Sequence, residues 1–190
     1  VNTFVAQYFG AGHSERIGIS VWQGVFIGAA TFPLIALIIP LSPQIFALVA
    51  HEPAIQAMER TYFSIVLWGM AASVMSAALS GFFTGRGRMQ TVMVVDIGMA
   101  MVNLGLDYVL IFGKLGFPAL GITGAAYATV IAYWFQFSAF LVLFLLPANR
   151  REFGTWVGMR FDRELMGRLL RFGFPSGFQM LIDVVAFTFF

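Results

Sequence analysis

The chain has 190 residues, of which 59% are hydrophobic and only 11% are charged, with a mean hydropathy of +0.85. Soluble domains carry about 25% charged residues, so this composition excludes an ordinary soluble protein and predicts an all-α integral membrane protein, a polytopic helix bundle. The formal net charge is only +2, and no nucleic-acid partner is expected. Because the chain has no cysteine, disulfides, thiolate nucleophiles and cysteine-based metal sites are excluded.

The apolar segments can be followed in chain order. Residues 1–12 have the pattern of the end of an apolar helix, and a polar turn, 13–16, follows its glycines. Residues 17–39 carry no charge and are long enough to cross a bilayer, with an internal proline expected to kink the span. A proline-marked loop, 40–60, precedes the second complete span, 61–85.

Small residues recur every four positions along the second span. At this spacing they let helix backbones approach closely within a membrane, so we expect this face to pack against other helices. The repeating positions are Gly69, Ser73, Ala77, Gly81 and Gly85, with Ala72, Ser76, Ser80 and Thr84 beside them.

The third span, 89–113, is apolar but carries Asp96, Asn103 and Asp107. At about 100° per residue, these three positions fall within roughly 40° of one another on a helix. A carboxylate at bilayer depth is costly, so this stripe is expected to face a protein interior or a water-filled cavity, where such groups mark ion or proton pathways. Neutral, hydrogen-bonded packing groups are the alternative interpretation, but two aspartates in one span favour function.

The fourth span, 121–146, has a polar stripe of its own. Thr129, Tyr133 and Gln136 lie at positions i, i+4 and i+7, on one helical face. This stripe is expected to face Asn103 and Asp107 if the two helices form an antiparallel hairpin. Ordinary hydrogen bonding between helices explains the three residues equally well.

Residues 148–171 form the one extended hydrophilic segment of the sequence. Within it, Asp162 is a plausible N-cap for an amphipathic helix lying at the membrane surface. A new apolar run opens at Phe172, and its Gln179 and Asp183 share a helical face. Asp183 is therefore a second candidate intramembrane carboxylate.

Loop charges predict the orientation. If successive loops alternate sides, nine of the eleven basic residues fall on one side, which by the positive-inside rule is the cytoplasm. We thus expect a multi-pass protein of the cell membrane with loops 13–16, 86–88 and 148–171 in the cytoplasm. The nine residues are Arg16, Arg86, Arg88, Arg150, Arg151, Arg160, Arg163, Arg168 and Arg171.

The run from Ser80 to Trp134, with NLGLDYVLIFG and FPALGITGAAYAT, closely resembles the multidrug and toxic compound extrusion (MATE) family where its fourth, fifth and sixth helices join. The opening FVAQYFGAGHSERIG resembles the end of the second helix, and GFPSGFQMLIDVVAF the start of the seventh. The resemblance implies a piece of a twelve-helix, two-lobe transporter fold. Residues 1–147 would then be helices two (partial) to six, 148–171 a cytoplasmic inter-lobe linker, and 172–190 the start of the second lobe.

The family exports organic, often cationic, compounds in exchange for Na⁺ or H⁺, and the resemblance implies this antiport here. In some members an Asn, an Asp and a Thr form a cation-responsive cluster; they match Asn103, Asp107 and Thr129. Asp183 takes the place of an acidic residue after the proline of the seventh helix, where Glu is more usual. The resemblance implies no cofactor besides the coupling ion, no metal beyond Na⁺ at these residues, and a monomer.

Four further polar residues are weaker candidates for the cation or proton site. Asp96 has no family role that the resemblance supplies, and it lies nearer the cytoplasmic end of its span. The candidates are Asp96, Tyr133, Gln136 and Gln179.

Two other functions stay open. A lipid-linked oligosaccharide or polysaccharide flippase of the same superfamily would share the helices but would more often line its cavity with Arg or Lys, which the spans nearly lack. A passive channel is a different class. An enzyme is not expected, because His13 and His51 lie in loops and no Ser-His-Asp or HExxH arrangement is present.

Overall fold

The computed structural model describes residues 1–47 and 52–189, so His51 lies outside the described residues. These residues form α-helices joined by short turns, which confirms the all-α prediction. The helices are α1 (Asn2–Gly10), α2 (Glu15–Ala29), α3 (Thr31–Ile38), α4 (Ser42–Ala47), α5 (Pro53–Thr84), α6 (Met89–Phe112), α7 (Ile122–Phe144), α8 (Pro147–Phe153) and α9 (Arg163–Phe189).

Five segments of the described chain are long and apolar enough to cross a membrane: Glu15–Ala47, Pro53–Thr84, Met89–Phe112, Ile122–Phe144 and Arg163–Phe187. The third and fourth agree with the predicted spans to within two residues at each end. The second begins eight residues earlier than predicted, because the prediction started after the last charged residue. This helix begins at Pro53. A proline suits the first turn of a helix because the N–H that it lacks would have no intrahelical partner there.

The first span is divided by its internal proline, as predicted. α2 ends at Ala29 and α3 begins at Thr31. Pro33 has no N–H to donate to the carbonyl of Ala29, and its ring crowds that carbonyl, so the helical ladder is interrupted there. The hydroxyl of Thr31 donates instead to the carbonyl oxygen of Gly28 at 2.6 Å.

α9 differs from the prediction. We expected a surface helix to end near Arg171 and a new span to begin at Phe172, but one helix runs through both and contains Pro175. A proline removes a single helical hydrogen bond, and the turns on either side continue the helix here. The predicted N-cap is present, since the N–H of Leu165 donates to Oδ1 of Asp162 at 2.9 Å.

The first turns of α9 have the predicted amphipathic character. Leu165 and Leu169 are buried against Phe4 and Ile19, while Arg168 is exposed. This apolar contact attaches α9 to α1 and α2.

α5 is the centre of the described bundle, since it contacts α1, α2, α3, α4, α6 and α7. Its small residues permit part of this contact. A Cβ atom on Gly69 would lie 2.9 Å from the ring of Tyr133 and 3.3 Å from the Cα of Val130, so α7 approaches closely here. Ala72 and Ser76 are also buried, but Ala77 is exposed, so the predicted packing face is only partly used for packing.

α6 and α7 form an antiparallel hairpin, which is the arrangement that contact between their polar stripes requires. Gly98 of α6 lies near the ring of Phe135, while Gly124 at the start of α7 lies against Leu110 near the end of α6. The residue numbers thus rise along one helix as they fall along the other. By this register, Thr129 lies opposite the segment from Asn103 to Asp107.

The predicted cytoplasmic loops meet at one end of the bundle. A Cβ atom on Gly18 would lie 2.6 Å from the carbonyl oxygen of Phe153, so the start of α2 contacts the end of α8. The ring of Phe153 also lies 5.4 Å from that of Phe82, near the end of α5. We call this the basic end, residues 13–16, 86–88 and 148–160. That it faces the cytoplasm stays a prediction from the charge bias.

Arg86 joins the elements of the basic end. Its Nε donates to the carbonyl oxygen of Phe82 at 2.9 Å, and its guanidinium lies 3.6 Å from the Phe82 ring centroid and 4.4 Å from that of Phe153. Burial, and secondarily the charge of Arg88, lower the pKa of Arg86 to about 10, against the opposing effect of Glu152. The guanidinium therefore stays charged at neutral pH and holds the turn after α5 against α8.

Two glycines test the α6–α7 contact. A Cβ atom on Gly124 would lie 2.6 Å from the carbonyl oxygen of Leu110, whereas one on Gly105 would meet nothing within 4 Å. We expect Gly124→Ala to destabilise the protein by about 1–3 kcal/mol. Gly105→Ala should be neutral or stabilise by about 0.5–1 kcal/mol through helix propensity. Thermal unfolding of both variants in detergent measures this, and equal stability of the two would contradict the close contact.

Introduced cysteines test the orientation, because this sequence has none of its own. In the full-length protein, kept free of other cysteines, Arg151→Cys should react with a membrane-impermeant maleimide only from the cytoplasmic side. Leu115→Cys, in the exposed turn between α6 and α7, should react only from outside. Labelling of both from the same side would show that the loop assignment is wrong.

Candidate functional site

The structure joins two of the weaker predicted residues across the hairpin. Nε2 of Gln136, on α7, donates to Oδ1 of Asp96, on α6, at 2.8 Å. Gln136 thus meets Asp96, whereas the sequence predicted that its stripe would face Asn103 and Asp107. Asp96 itself is exposed, and the amide of Gln136 satisfies one of its two oxygens.

Asp96 and Gln136 line a cavity of about 190 Å³ between α5, α6 and α7. Most of its other polar groups are serine hydroxyls from α5. The lining residues are Ser73, Ser76, Ala77, Ser80, Val92, Asp96, Gln136 and Phe140.

The serines are what the sequence interpretation missed. The sequence interpretation assigns them to helix packing because they occur among glycines and alanines at four-residue spacing. Ser76 does donate to the carbonyl of Ala72 at 2.8 Å, and Ser80 to that of Ala77 at 3.1 Å. The available signal was that Ser73, Ser76 and Ser80 have hydroxyls on one side of α5, where close packing alone needs only alanine.

Asn103, Asp107 and Thr129 are half-buried near the other end of the hairpin. The hydroxyl of Thr129 donates to the backbone carbonyl of Ala125 at 2.9 Å. Oδ1 of Asp107 is buried and has no hydrogen-bond partner. Within residues 1–47 and 52–189, no hydrogen bond joins these three side chains, so the structure brings them to one level without linking them.

The remaining predicted residues are not brought to Asp107. Tyr133 packs on Gly69 of α5. Gln179 and Asp183 lie on the exposed part of α9, the helix attached to α1 and α2 rather than to α6. In the part of the chain that the structure describes, Asp183 forms no hydrogen bond or ion pair.

The ligands available to a cation are the oxygens of single carboxylates, accompanied by amide and hydroxyl oxygens. Among the described residues, no three His, Cys, Asp or Glu side chains lie together as a metal cluster. α6 and α7 also contain no Lys or Arg, so nothing basic on the hairpin neutralises Asp96 or Asp107. Oxygen donors of this kind suit hard cations such as Na⁺, or a proton.

Comparison with known proteins identifies the family. The MatE family profile matches residues 1–109, more than half of the chain. The chain belongs to the MATE family. Its membership, its apolar helices and the relatives described below show a multi-pass membrane protein.

The MATE relatives include the multidrug resistance protein NorM of Aliivibrio fischeri, 30% identical over 188 residues, with 97% of this chain and 40% of that protein covered. The probable multidrug resistance protein NorM of Thermotoga maritima is 28% identical over 180 residues, covering 94% and 38%. The chain thus spans about 40% of the length of the curated relatives it matches.

A solved structure has the same fold. The crystal structure of the eukaryotic MATE transporter AtDTX14 matches 92% of this chain and 38% of its own, with a TM-score of 0.76 and 19% identity. At this identity the match concerns the fold, which agrees with the helix bundle described above.

Proposed function

We propose that the full-length MATE protein is a cation-coupled antiporter that exports small organic cations in exchange for Na⁺ or H⁺. Its relatives named NorM are described as multidrug resistance proteins. The helices α6 and α7 have carboxylates but no Lys or Arg, which favours cationic over anionic substrates. This feature also argues against a flippase for pyrophosphate-linked sugars.

One observation supports the coupling site above the others: Oδ1 of Asp107 is buried without a hydrogen-bond partner. Leaving such an acceptor unsatisfied costs about 1–3 kcal/mol, and buried polar groups without partners are rare in native proteins. A proton on the carboxylate or a cation beside it removes this cost. We therefore assign Asp107 as the group to which the coupling ion binds.

Asn103 and Thr129 supply further oxygens at the same level. Asn103 is one helical turn before Asp107 on α6, and Thr129 lies opposite this turn on α7. The Thr129 hydroxyl donates its proton to the carbonyl of Ala125, so the oxygen of that hydroxyl is left to act as an acceptor. Asp183, on the exposed part of α9, is a further candidate carboxylate for the coupling ion and lies apart from Asp107.

Transport follows from competition for the carboxylate. A proton or Na⁺ neutralises Asp107, whereas an organic cation pairs with its ionised form, so the two ligands favour different states of the site. A ligand shifts a conformational equilibrium only by its differential affinity for the two states. Alternation between inward-facing and outward-facing arrangements of two lobes then couples the opposing fluxes.

The Asp107→Asn variant of the full-length protein tests the proposal. It keeps the size of the side chain but removes its negative charge and proton-binding site. We expect ethidium efflux driven by an imposed pH or Na⁺ gradient to fall about tenfold or more, with normal expression. Transport in proteoliposomes under each gradient measures this.

Asp107→Glu is the matched control, since it retains the carboxylate and should retain coupled efflux. Undiminished coupled efflux by Asp107→Asn would remove Asp107 from the mechanism. Fluxes that do not depend on either gradient, in the unmodified protein, would instead indicate a passive channel.

A further inference from the structure

We propose that the cavity around Asp96 is a second cation site, through which the coupling ion passes between Asp107 and the basic end. This inference rests on the proposed antiport and adds a place on the ion's route. The site consists of Asp96, Gln136 and the serines of α5 that line the cavity.

The hydrogen bonds already formed leave this cavity with a surplus of acceptors. Gln136 donates an amide N–H to Asp96, and the hydroxyls of Ser76 and Ser80 donate to backbone carbonyls. The acceptors still able to interact are the second carboxylate oxygen, the amide oxygen and the lone pairs of the hydroxyls. In the described chain two donors also remain, the second amide N–H of Gln136 and the hydroxyl of Ser73. A set of acceptors with few donors attracts a cation or a protonated water.

The size of the cavity suits a hydrated ion. Its volume of about 190 Å³ exceeds the share of one water molecule in the liquid, about 30 Å³, several times. Hydroxyls line one wall and the carboxylate and amide line another, so a small cation can keep part of its water while contacting Asp96.

The position of Asp96 places it on the route. Asp96 precedes Asp107 by eleven residues, about three helical turns, so both lie on one face of α6 about 16 Å apart along the axis. Asp96 is on the side of the basic end, where α6 begins at Met89. It also borders an open, largely apolar groove along α6 from Met89 to Ala100.

The charged surroundings of Asp96 are simple. The two cavities that it borders are lined, in the described chain, by no other acidic or basic side chain from α5, α6 or α7. Its occupancy by a cation is therefore determined mainly by Gln136, the serine hydroxyls and water.

The Asp96→Asn variant of the full-length transporter tests this site. Protein oriented in proteoliposomes is assayed for gradient-driven ethidium transport while H⁺ or Na⁺ is raised on the basic-end side and held constant on the other. If the coupling ion leaves the protein on the basic-end side, a high concentration of that ion on this side should inhibit the unmodified protein. In Asp96→Asn we expect the half-inhibiting concentration of the coupling ion to change about tenfold or more, with ethidium affinity unchanged.

Two further variants separate the role of Asp96 from folding. Methionine is flexible and close in size to glutamine, and Gln136→Met should shift the same half-inhibiting concentration. This variant serves as the test if Asp96→Asn is poorly expressed. Glu164→Gln, which removes an exposed carboxylate in the first turn of α9, should leave it unchanged.

The outcomes distinguish this inference from the proposed function. Gradient-driven transport with a normal ion response in both Asp96→Asn and Gln136→Met would overturn the second site while leaving the antiporter intact. Absence of gradient-driven transport by the unmodified protein would overturn the antiporter, and the second site with it. A shift in the Asp107→Asn variant alone would place the whole ion response at Asp107.

Discussion

The antiparallel register of α6 and α7 is the constraint on which the candidate sites depend. It is fixed where Gly124 meets the backbone of Leu110 and where Gln136 bonds Asp96. A carboxylate within a membrane needs polar neighbours, and the register decides which neighbours each carboxylate receives. α6 packs mainly on α7, and α7 on α5, so the hairpin also determines where the serines of α5 meet Asp96.

Much of the fold could be predicted because membrane spans are recognised by length and by the absence of charge. The third and fourth spans agree closely, since segments marked by glycine or proline limit their ends. The start of α5 was missed because Glu59 and Arg60 hide the continuation of the helix toward Pro53. The continuity of α9 through Pro175 was missed because local patterns cannot show whether the helix beyond a proline continues in the same direction.

The polar residues of the site could be predicted, but their pairing could not. Helical periodicity places Asp96, Asn103 and Asp107 on one face and Thr129 and Gln136 on another. Which members meet depends on the register and on the rotation of each helix, which are properties of tertiary packing. The weaker candidates therefore formed the hydrogen bond, whereas Asp183 lies on the exposed part of α9, a helix that packs on α1 and α2.

The two carboxylates of α6 lie in different surroundings. Asp96 is exposed and accepts an amide N–H on one oxygen, whereas an oxygen of Asp107 is buried with no partner in the described chain. Helical periodicity places both on one face of α6 and cannot distinguish them. The difference arises from α7, which supplies Gln136 at the level of Asp96 and only a hydroxyl already bonded to its own backbone, Thr129, at the level of Asp107. The register of the hairpin therefore decides which of the two carboxylates still needs a partner.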